Sequence, residues 1–155
     1  MKRLFYLGIL VLACCSESQR KDFVEKEHRD LIVYDYDKLI RENQCELTRI
    51  EKDSIILFKY KNLVDSTKNM VFSFLKYKDL LYFGPNEFTL KERKYLVKEV
   101  AFDKYETEPI VDGMGPILFN AKYGILVMEN GWGKQFHYLK ENGPWNLELP
   151  ILYDF

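Results

Sequence analysis

Along the C-terminal third of the chain, apolar residues recur in short runs broken by glycine-containing turns. Residues 117–120, 124–129 and 135–140 are such runs, separated by Ala121-Lys122-Tyr123 and by Asn130-Gly131-Trp132-Gly133. Runs of this length with turns of this composition predict an antiparallel meander. Leu147, Leu149, Ile151, Tyr153 and Phe155 then occupy every odd position to the C-terminus. That period of two predicts a final strand with these side chains turned toward the core. Pro150 lies on its other face and lacks an amide, which predicts an edge strand. Upstream, residues 46–50 and 54–61 flank the polar Glu51-Lys52-Asp53, a stretch of hairpin length. Residues 69–77 alternate, and 79–83 follow until Gly84-Pro85-Asn86 interrupts them.

Two segments read differently. In residues 30–43 (DLIVYDYDKLIREN), Ile32, Tyr36, Leu39 and Ile40 fall at helical spacing, whereas residues 31–34 are β-branched enough for a strand. Thr89 and Glu92 are spaced as a capping box, in which each side chain satisfies the other's free amide. With Leu90, Leu96, Val97, Val100 and Ala101 on one face, this predicts a helix over residues 90–101, with a strand over 95–102 as the alternative. Asp112-Gly113-Met114-Gly115-Pro116 predicts a turn. The expected fold class is therefore α+β, mainly antiparallel β, with about seven or eight strands, a C-terminal meander and one or two helices. No Pro/Gly/Ser-rich linker and no repeat interrupts residues 30–155, which are expected to form a single β-rich domain.

The N-terminus follows another logic. Lys2 and Arg3 precede ten apolar residues from Leu4 to Ala13, and then come Cys14, Cys15 and an abruptly polar stretch. Ten residues are too few to cross a bilayer core as a helix, which takes about 20, but they suit a cleaved export signal. Val11-Leu12-Ala13-Cys14 resembles the lipobox of bacterial lipoproteins. The resemblance implies a signal peptide over residues 1–13, cleavage before Cys14 and acylation of that cysteine. Leu12 departs from the smaller residue more common there, and Cys15 is the rival acceptor. Residues 14–29 would then be a lipidated tether, and the implied location is the cell envelope, at an outer-membrane or periplasmic face. One acyl chain binds membranes only marginally, with K of about 10⁴ M⁻¹, whereas two or three hold a protein firmly.

Composition narrows the chemistry. The 155 residues carry 23 basic and 24 acidic side chains, a net charge of -1, which provides no general field for nucleic acid. Aromatics make up 15% of the chain, a share that favours strands over a helical bundle. Three cysteines and two histidines leave no disulfide framework and no Cys/His zinc set. Cys45 reads as a small buried side chain. No nucleophile elbow, phosphate loop or metalloprotease motif occurs, and neither a cofactor nor a metal is expected. His28 falls in the tether, and His137, between Phe136 and Tyr138, reads as a hydrogen-bonded structural histidine. Asp35 and Asp37 flank Tyr36, and Glu106, Glu108 and Asp112 form an acidic cluster; all read as solvated.

Trp132, set between Gly131 and Gly133 at a hairpin tip, is the candidate binding residue, because its neighbours cannot shield the ring; the alternative is that the ring folds back and caps the sheet. Trp145 is expected to plug the core. The function these features support is a lipid-anchored binding or interaction module with an unknown protein or glycan partner. The alternatives are an immunity or inhibitor protein against an envelope-acting toxin, and an envelope enzyme with an unrecognised site.

The anchor is directly testable. The protein should partition into detergent and carry the added mass of acyl chains, and Cys14→Ser should release the domain or leave it as an unprocessed precursor. Acylation that survives Cys14→Ser but not Cys15→Ser would move the modified position by one residue.

Overall fold

The computed structural model describes residues 22–97, 100–109, 113–140 and 147–152. Ten strands follow one another in these segments: β1 Phe23–Asp35, β2 Lys38–Glu51, β3 Ile55–Asn62, β4 Met70–Leu75, β5 Leu80–Phe83, β6 Asn86–Val97, β7 Val100–Glu106, β8 Ile117–Asn120, β9 Gly124–Glu129 and β10 Lys134–Lys140. Each pairs antiparallel with its sequence neighbours, and β1 pairs with β10, closing the sheet into a barrel. The closing register runs from Arg29 opposite Lys140 to Asp35 opposite Lys134. Among the described residues the only helical element is a 3₁₀ turn at Ser66–Lys68. The architecture is thus all-β, which corrects the α+β expectation and its strand count.

Each departure from the expected elements has a local cause. Residues 86–97, read as carrying a helix, are strand β6, held by β5 on one side and β7 on the other. Thr89 caps nothing; its hydroxyl donates to the Glu106 carbonyl across the sheet at 3.3 Å. The β6–β7 register shifts between Leu90 and Glu92 and again before Tyr95, and Lys94 takes a positive φ of 55°. Such an irregularity inserts residues into one strand and breaks its period of two, and a broken period of two imitates helical spacing. Residues 30–43 resolve into the end of β1, a turn at Tyr36 and Asp37, and the start of β2. β1 begins at Phe23, so residues 23–29, read as tether, belong to the barrel, where every residue up to Asp35 has a partner in β2.

Inward-facing side chains fill the barrel with aromatic rings. Phe58 of β3 meets Phe119 of β8 edge-on with centroids 5.3 Å apart, and Tyr60 lies 4.3 Å from Tyr138 of β10. These contacts cross the barrel and join strands far apart in sequence. The Tyr60 hydroxyl also accepts the amide of Ile125 in β9 at 2.8 Å. Burial among these groups pushes the Tyr60 and Tyr138 hydroxyls well above the usual phenol range.

A second apolar layer lies outside the sheet. Phe102, Leu118, Leu126 and Val127 form a cluster separate from the interior one, together with Leu152 and with Leu147 and Ile151 packed against it. Hence every residue of β9 is buried, and GILVM reads as a continuous apolar run because both faces are covered. The covering segment, residues 147–152, is a strap, not the expected edge strand. Leu152 is 7% exposed and Pro150 is buried, while Leu149 and Ile151 are half-buried, so the expected parity is reversed. Its backbone is bonded to side chains: the Leu152 amide donates to Gln135 Oε1 at 2.9 Å, and Gln135 Nε2 donates to the Leu152 carbonyl. Tyr153, Phe155 and Trp145 lie outside the described residues, as do the signal segment, Cys14 and Cys15.

Leu152→Asp should therefore cost at least about 2 kcal/mol by burying an unpaired carboxylate. Glu148→Lys, on the exposed side of the strap, should stay within about 0.5 kcal/mol. Equal denaturant midpoints for the two variants would remove the strap from the stability of the barrel.

Candidate functional site

The antiparallel order sends alternate connections to opposite ends of the barrel. One end carries Tyr36 and Asp37, the segment after β3, and the β9–β10 turn with Trp132. The other carries the start of β1 and the β8–β9 turn.

At the first end, the tip holding Trp132 is rigidly built. Asn130 Oδ1 accepts the amides of Trp132 and Lys134, each at 3.0 Å, and the Asn130 amide donates to the Lys134 carbonyl at 3.0 Å. The buried Glu129 carboxylate accepts the Gly133 amide at 2.9 Å. Gly133 has a φ of 81°, and a Cβ there would come within 2.6 Å of the Tyr36 ring. Glycine therefore meets two demands at this position, the left-handed backbone and the room for Tyr36. The Tyr36 amide donates to the Gly133 carbonyl at 2.8 Å, locking the β1–β2 turn to the tip. Trp132 is 63% exposed and Tyr36 66% exposed on this platform. Leu39, Ile40, Leu63 and Val64 are exposed at the same end, and Leu63 and Val64 border a groove of about 530 Å³ with Ile32 and Gln44.

The other sequence candidates are placed differently. His137 is fully buried beneath the strap: its Nδ1 lies 3.2 Å from the Ile32 carbonyl, and its Nε2 accepts the Ile151 amide at 3.1 Å. The ring is therefore the neutral tautomer protonated at Nδ1, with both nitrogens engaged. Desolvation holds its pKa down to about 4, against the opposing pull of the Ile32 carbonyl. Cys45 is a free, buried thiol pushed up to about 12 by burial. His28 is exposed on β1 opposite Glu46. Asp35 and Asp37 flank a hairpin turn, and Glu106 pairs with Lys104 at 3.1 Å. Asp112 lies outside the described residues. Among the described residues no three His, Cys, Asp or Glu side chains converge in a way that could hold a metal ion.

A residue that sequence reasoning passed over stands at the opposite end. Arg29, counted with the tether, is inward-facing and 1% exposed. Its Nη2 donates to the Glu27 carboxylate and to the Tyr123 carbonyl at 2.8 Å, and its guanidinium carbon lies 3.7 Å from the Tyr123 ring centroid. Arg49 Nε similarly holds the Ala121 carbonyl at 3.1 Å. Two arginines of the β1–β2 hairpin thus pin the β8–β9 turn across this end. The available signal was the alternation of Glu25, Glu27 and Arg29 with Lys26 and His28, which is strand-like but wholly polar.

His137 makes stability pH-dependent. Its folded pKa lies below the ordinary 6.5, so its contribution is fully present above that value and is lost as pH falls toward about 4. The full extent is about 3 kcal/mol. His137→Gln should flatten the melting temperature between these pH values relative to wild type; an unchanged difference across that window would exclude the coupling. Comparison of the chain with family models, with curated proteins and with solved structures gives no match.

Proposed function

We propose that this protein is a lipid-anchored cell-envelope module that binds a protein or glycan partner through the end of the barrel carrying Trp132. The observation that supports this reading is the exposure of Trp132 on a tip fixed by Asn130, Glu129 and Tyr36. A large aromatic side chain has few rotatable bonds to order on contact, and such residues supply much of the energy of interfaces. The neighbouring Tyr36, Leu39, Ile40, Leu63 and Val64 would extend the contact surface. The anchor enters the reading through the lipobox-like Val11–Cys14. β1 begins at the end opposite Trp132. Residues 14–22 span at most about 30 Å when extended, so an acylated Cys14 would keep the far end of the barrel near the membrane and turn the tip away from it. His137, the catalytic candidate of the enzyme alternative, has both ring nitrogens occupied by backbone groups, which favours the binding reading.

The test compares capture from solubilised envelopes by the acylated protein and its variants. Trp132→Ala should weaken retention of the bound partner by about 2 kcal/mol or more while shifting stability by under about 0.5 kcal/mol. Tyr77→Ala removes an aromatic that is 83% exposed at the opposite end, and should change neither quantity. Full retention by Trp132→Ala would overturn the assignment of the contact to this tip.

A further inference from the structure

Arg29 is a buried cation whose bonding the fold leaves incomplete. A guanidinium has five N–H donors, and here Nη2 is engaged while Nε and Nη1 have no partner. Leaving buried donors of a charged group unpaired is costly. The Tyr123 ring covers the guanidinium face, with its centroid 3.7 Å from the guanidinium carbon. The third partnerless buried side-chain atom among the described residues is Nδ2 of Asn62. Asn62 lies two strands away in the same register row, since Arg29 faces Cys45 and Cys45 faces Asn62. All three atoms are donors.

Arg29 also lines a pocket of about 250 Å³ at the end of the barrel. At roughly 30 Å³ per water, that is room for a small organic molecule rather than for a single ion. Ala101, Phe102 and the Tyr123 ring provide apolar wall, and Lys122 and Lys140 add positive charge at the rim. Of the two acids lining the pocket, Glu27 is already shared between Arg29 and Lys140, whose Nζ lies 3.0 Å from its second oxygen.

We propose that this pocket binds a small organic carboxylate with an apolar body, and that Arg29 is its anchoring cation. The ligand carboxylate accepts hydrogen bonds from the guanidinium, Glu27 turns to its other partner Lys140, and the apolar body lies against Phe102 and Tyr123. The site is separate from the Trp132 tip, so either can fail without the other.

The test uses the full chain and benzoate as probe. Benzoate should shift the Arg29 Nε–H resonance saturably, the signal being assigned by its loss in Arg29→Lys. It should also raise the melting temperature. Benzyl alcohol, of the same shape without charge, and inorganic phosphate should do neither. Arg29→Met should weaken benzoate binding about tenfold or more, the cost of a lost charge-assisted hydrogen bond. Should that variant fail to fold, Lys122→Ala at the exposed rim should weaken binding severalfold with the fold intact. Absence of a saturable shift at Arg29, an equal response to benzyl alcohol, or benzoate binding unchanged in the folded variant would overturn the proposal. Equal binding of phosphate would overturn the organic carboxylate in favour of a general anion site.

Discussion

The pairing of β1 with β10 is the constraint on which the rest of this structure depends. Seven register pairs, from Arg29–Lys140 to Asp35–Lys134, join the two ends of the described sheet. A sheet closed on itself has no unpaired edge strand to cover or to aggregate through. Closure also divides the side chains into an interior and an exterior set, strand by strand. Once Phe136 and Tyr138 of β10 face inward, Gln135, His137 and Leu139 must face outward. It is this outward row that receives the C-terminal strap.

Buried polar groups at the two places where the chain crosses the sheet are treated differently. Under the strap, Gln135 and His137 meet backbone groups of Leu152, Ile151 and Ile32, so each buried side chain satisfies segments that would otherwise be unpaired. Satisfied networks in a low-dielectric setting strengthen a fold. At the barrel end, Arg29 satisfies the Tyr123 carbonyl but keeps two of its own nitrogens unpaired. The first arrangement is complete within the chain. The second leaves two donors of one guanidinium without a partner.

The two ends of the barrel also differ in how they present apolar surface. Asn130 and Glu129 spend their hydrogen-bonding capacity on amides of the Trp132 turn, and Tyr36 fills the space that Gly133 leaves open. The turn that carries Trp132 is thereby held in place with its ring exposed. At the other end, Arg29 and Arg49 draw the β8–β9 turn inward and leave a confined pocket instead.

Local pattern by itself determined the strands whose surroundings match their own periodicity. β3, β4, β5 and the meander β8–β10 are legible because alternation, apolar runs and glycine turns are encoded within a few residues. The place of Trp132 at a hairpin tip is legible for the same reason, but that its ring stands exposed instead of folding back over the sheet is shown only by the structure. Tertiary structure alone decided the remainder. β6 was hidden because its irregularity near Lys94 breaks the period, and that irregularity exists only against β7. The first residues of β1 were hidden because Glu25, Glu27 and Arg29 turn polar groups toward the end of the barrel, where a strand signal calls for apolar ones. The parity of residues 147–152 carried no information, because the segment is held by Gln135 and His137 rather than by a neighbouring strand. Periodicity reports how a segment divides itself between two faces; which partner covers each face is a property of the closed barrel.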